Sequence, residues 1–60
     1  MLKVGDKVTY LNTNLREYVG RIETIGKEAR GANCKVQWLQ PRYLLTNECL
    51  FNLVRTARTA

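Results

Sequence analysis

Sixty residues make one domain and no more, and a chain this short buries only about 60% of the surface its unfolded form exposes. Its 45% apolar content excludes disorder, and no apolar run approaches the roughly 20 residues of a membrane helix. Ten Lys/Arg against five Asp/Glu give a formal charge of +5 and a pI near 9.7, a field that favours anionic partners such as nucleic acid.

The N-terminus, Met1-Leu2-Lys3 followed by Val4-Gly5-Asp6-Lys7, has no apolar core behind its positive charge and does not read as a signal peptide. The expectation is a cytoplasmic protein with no membrane partner. Lys7-Val8-Thr9-Tyr10-Leu11 is rich in β-branched and aromatic residues and forms the first predicted strand, with Val8 and Tyr10 on one face. Asn12-Thr13-Asn14 ends it. The second strand runs from Tyr18 to Ile25. Its alternation fails because Ile22 and Ile25 are three apart, and a bend or bulge near Gly20 accounts for this better than a helix does. Gly26 to Asn33 reads as an exposed loop. Cys34 to Leu39 restores clean alternation, with Cys34, Val36 and Trp38 inward and Lys35 and Gln37 outward. Gln40-Pro41-Arg42 makes a turn, and Tyr43 to Thr46 is the fourth strand. Thr46 or Asn47 would cap a single helical turn that sends Leu50 into the core. Phe51 to Val54 is the last strand, with Phe51 in the core, and residues 55–60 form a basic, flexible tail on a domain spanning 1–54.

Short strands at roughly ten-residue spacing predict an all-β fold. Five strands, a long second connection, a tight turn and one helical turn before the last strand resemble an SH3-like barrel. The opening Gly5-Asp6-x-Val8, then Tyr18-x-Gly20-x-Ile22-x-x-Ile25 and Val36-x-Trp38, are most similar to the KOW and Tudor-like group. That resemblance implies partner binding through loops and exposed aromatics at one end of the barrel. KOW-type domains bind RNA or proteins, and Tudor-like ones bind methylated side chains. An aromatic cage needs three or four converging rings, and of the five aromatics here Tyr10, Trp38 and Phe51 are expected in the core.

Catalysis is not expected. The chain has no histidine, the usual general acid–base, and its carboxylates Asp6, Glu17, Glu23, Glu28 and Glu48 are scattered. Cys34 and Cys49 have no His base; they read as buried free thiols and are too few for a zinc site. No cofactor or small-molecule substrate is implied, and a domain of this size offers little room for a ligand pocket of several hundred Å3, about the usual size.

The candidate binding residues are Arg16, Tyr18, Arg21, Lys27, Arg30, Lys35, Arg42 and Tyr43. Arg21 and Lys35 point outward from neighbouring strands, Lys27 and Arg30 lie at one end of that hairpin, and Tyr18 and Tyr43 sit beside turns where a ring can stack on a base. Against this, Arg16, Arg21 and Lys27 each have an acidic neighbour in sequence, as ordinary solvated faces do. Nucleic-acid binding therefore stands beside a protein partner, docked by a sheet edge or by self-association into a homo-oligomer.

Overall fold

The computed structural model describes residues 1–27 and 33–58. The protein is all-β, with five strands in one antiparallel sheet: β1 (Lys7–Tyr10), β2 (Val19–Ile25), β3 (Cys34–Gln40), β4 (Leu44–Glu48) and β5 (Leu53–Arg55). The order across the sheet is β4-β3-β2-β1-β5, compatible with an SH3-like fold. Among the described residues no ladder joins β4 to β5, so the sheet has two edges and the ring is not closed.

The sheet coils. In a flat sheet β1 and β4 would lie about 14 Å apart, yet the Tyr10 hydroxyl donates to Glu48 Oε2 at 2.7 Å. Inside the coil lie Val8, Ile22, Cys34, Val36, Trp38 and Leu53, with Leu2, Tyr10, Tyr18, Ile25 and Leu50 packed against them. The inward assignment of Cys34, Val36 and Trp38 is borne out.

Two irregularities shape β2. Its register against β3 shifts between Val19 and Gly20 and again between Ile22 and Thr24. The second leaves Glu23 without an opposite residue, and this is how Ile22 and Ile25 come to pack on the same side. The bulge expected near Gly20 is thus one of a pair. At Gly20 itself a Cβ would sit 2.6 Å from Gln37 O and 2.8 Å from Trp38 Cε3, so the missing side chain lets β3 press against β2.

Four details depart from the sequence expectation. A 3-10 turn at Thr13–Leu15 follows β1, and Asn12 caps it by accepting from Asn14 N–H. The helical turn before the last strand is there, at Leu50–Asn52, but neither Thr46 nor Asn47 caps it. Thr46 lies within β4, and the Leu50 N–H is taken by Asn33 Oδ1 at 3.0 Å. Phe51 is 77% exposed and lies in that turn, not in the core or in a strand. Leu50 and Leu53, three apart at the 3-10 period, pack inward instead, and the strand runs on to Arg55.

Candidate nucleic-acid interface

Register decides which basic side chains meet. Lys7 lies directly opposite Arg21, Arg21 opposite Gln37, and Gln37 opposite Leu45. One row thus crosses β1 to β4 on the outer face, next to the row whose Gly20 and Trp38 are buried. A second row, Thr24, Lys35 and Asn47, runs parallel to it. Lys35 is two residues from Gln37, about 7 Å along β3. Arg21, Lys35, Leu45, Thr24 and Asn47 are exposed, and Lys7 and Gln37 are partly so.

Like charges placed opposite each other in a sheet repel. Among the described residues neither Lys7 nor Arg21 has an acidic partner. The ion pair found there is elsewhere, Arg55 to Asp6 at 2.9 Å. Lys7 was not among the sequence candidates. Its signal is the register with Arg21, which no local pattern reveals.

The other candidates divide. Arg42 and Tyr43 are exposed in the segment joining β3 to β4, Tyr43 at 75%, after the cis Gln40–Pro41 bond. Lys27 is exposed beyond the end of β2. Arg30 lies outside the described residues. Arg16 is committed to its own loop: its Nε donates to Tyr10 O at 2.7 Å and its Nη2 to Leu11 O at 3.1 Å.

Tyr18 is half-buried, packed edge-on to Trp38 (centroids 5.5 Å) and to Tyr10 (5.4 Å), while Tyr10 stacks on Trp38 at 4.6 Å. Its ring therefore packs into the molecule, which leaves Tyr43 as the free ring of the two. The three rings do converge, but Trp38 is fully buried, so they form a core cluster.

A hydrogen-bond chain locks that cluster. Trp38 Nε1 donates to Thr46 Oγ1 at 2.8 Å, and the Thr46 hydroxyl donates to Glu48 Oε2 at 2.7 Å, the oxygen that Tyr10 also reaches. Burial first, then the Glu48 carboxylate, pushes the Tyr10 phenol well above its usual range. Cys34 is buried with its thiol on Glu48 O at 3.2 Å. Burial, then Glu48 and Cys49, raises its pKa, the opposite of what an activated nucleophile requires. Both cysteines are free, but Cys49 is only partly buried.

Open depressions of about 400 and 550 Å3 among the described residues are roomier than so short a chain is expected to provide. The larger is apolar, with Leu2, Ile25, Leu50, Phe51 and Leu53 in its lining. Neither is lined by a carboxylate side chain or a cysteine. Among the described residues no three Cys, Asp or Glu side chains converge as metal ligands would, and no helix is long and apolar enough to cross a membrane. Comparison with family models, curated proteins and solved structures finds no match to this chain.

Proposed function

We propose that this protein is a non-catalytic nucleic-acid-binding module of the SH3-like, KOW/Tudor-like kind, reading the phosphate backbone with the outer face of its sheet. Lys7, Arg21 and Lys35 contact phosphates, and Tyr43 stacks on an unpaired base. The observation that carries this reading is the Lys7–Arg21 pair. Two cations held in register without acidic partners among the described residues cost stability, and a bound polyanion would relieve that cost.

The test is an anisotropy titration of labelled single-stranded RNA, single-stranded DNA and duplex DNA at low and high salt. Three phosphate contacts predict a slope of about −2 to −3 in log K against log salt, with a Kd of order 10 μM or tighter at low salt. Reversing Arg21 and Lys35 to Glu together should abolish binding. Affinity that survives the reversal, or that ignores salt, removes the outer face from the mechanism.

A second reading, docking on a larger protein, is favoured by one observation: Phe51, 77% exposed, lines the larger apolar depression. It predicts a salt-tolerant complex lost in Phe51→Ala and kept in the Arg21/Lys35 reversal.

A further inference from the structure

The two edges of the sheet are built differently. β5 is three residues long and ends on Arg55, whose guanidinium is held by Asp6 and by Met1 O. Short length and charge are the usual guards of an edge. β4 is five residues long and ends on Glu48, but from Leu44 to Asn47 it offers no charge and no proline. Tyr43, Leu44 and Leu45 are exposed there.

We propose that a second copy of this chain covers this edge, β4 against β4, antiparallel about a two-fold axis through Leu45. In such a pair the numbers of facing residues sum to a constant, so every register can be checked against the sequence. The axis at Leu45 sets Leu45 against itself, Leu44 against Thr46, Tyr43 against Asn47, and Arg42 against Glu48. The last pairing joins opposite charges and occurs twice by symmetry. An axis at Leu44 would set Arg42 against Thr46 and Glu48 against Gln40; one at Thr46 would set Glu48 against Leu44. Half-residue shifts set Glu48 against Pro41 or Tyr43. Of these registers, the Leu45 one alone pairs the charges.

The structure supplies both partners. Arg42 is exposed and makes no ion pair among the described residues. Tyr10 and Thr46 both donate to Oε2 of Glu48, so its Oε1 is the oxygen that receives Arg42 of the second copy. The register also preserves the faces of the sheet. Leu44, Thr46 and Glu48 stand opposite Trp38, Val36 and Cys34 of the core, and Leu45 and Asn47 lie on the outer face. The row Lys7–Arg21–Gln37–Leu45 therefore meets its own copy at Leu45, and the two basic rows lie on one side of a continuous sheet.

The dimer does not rest on nucleic-acid binding: a dimeric chain that binds no nucleic acid overturns the function above and leaves this proposal intact. The test begins with sedimentation equilibrium of the full chain at about 100 μM, where an edge-to-edge contact of modest area gives a micromolar dimer. Leu45→Lys, an exposed change that sets like charges face to face, should sediment as a monomer with its circular dichroism unchanged. Leu45→Cys should oxidise to a covalent dimer, the parent chain serving as control for Cys34 and Cys49. Asn47→Cys should not, because two copies of Asn47 stand about 13 Å apart in this register and disulfides need Cα separations below about 7 Å. A monomeric parent chain, a dimeric Leu45→Lys variant, or cross-linking of Asn47→Cys as readily as Leu45→Cys overturns the proposal.

Discussion

The two glycines whose backbone matters do different work, and substitution separates them. Gly5 sits at φ 91° with open space where a Cβ would go, so Gly5→Ala meets only conformational strain, of about 1–2 kcal/mol. Gly20 lies where β3 presses against β2, and Gly20→Ala must displace Gln37 O or Trp38. Overpacking of this kind costs roughly 1–3 kcal/mol. The expected signature is a lower urea midpoint for both variants, with the emission of Trp38, the chain's single tryptophan, altered in the folded state of Gly20→Ala only. The need for a glycine at position 20 was legible from the sequence as a bend, but its cause, contact with Trp38, needed the register. Trp38, Val36 and Cys34 were legible as core from alternation alone, since a half-buried strand has a period of two. Phe51 was not. It is expected in the core as part of the last strand, but the 3-10 spacing of Leu50 and Leu53 takes the inward positions.

At the scale of the element, β5 shows how an edge is fastened. It pairs with β1 through Val8–Arg55, Thr9–Val54 and Tyr10–Leu53, and Thr56 N–H adds a bond to Lys7 O at 3.0 Å. The Arg55 hydrogen bond, with the Lys3 N–H second, holds the Asp6 carboxyl below its usual value of 3.8. A carboxylate with a folded pKa below its unfolded one stabilises the fold above the unfolded value, and that contribution is lost as pH falls through the folded pKa. The thermal midpoint should therefore drop as pH falls below about 4, and Asp6→Asn should start lower at neutral pH and show less of that drop. An identical acid limb in the variant would mean that the pair does not secure β5. The sequence puts Arg55 beyond the last strand, because residues 55–60 hold two arginines and no large apolar side chain. Its anchor, Asp6, is 49 residues away, and distance along the chain hides such partners.

For the molecule as a whole, the formal charge of +5 was the most legible property and the least specific. An even distribution would give weak affinity for any polyanion and nothing to distinguish one cation from another. What the fold adds is placement: Lys7 and Arg21 come opposite each other only because β1 and β2 pair in one register. Arg16, a candidate for its charge, and Tyr18, a candidate for its position beside a turn, are instead taken up by the Tyr10–Leu11 carbonyls and by the ring cluster. A pair of variants separates field from placement. Lys3→Glu and Lys7→Glu change the net charge by the same amount, but Lys3 lies outside the row. If the row binds phosphate, Lys7→Glu should lower affinity for single-stranded RNA far more than Lys3→Glu and reduce the salt slope by about 1. Equal losses in the two variants would mean that the protein answers only to total charge, and the outer face would then have no claim to be a site.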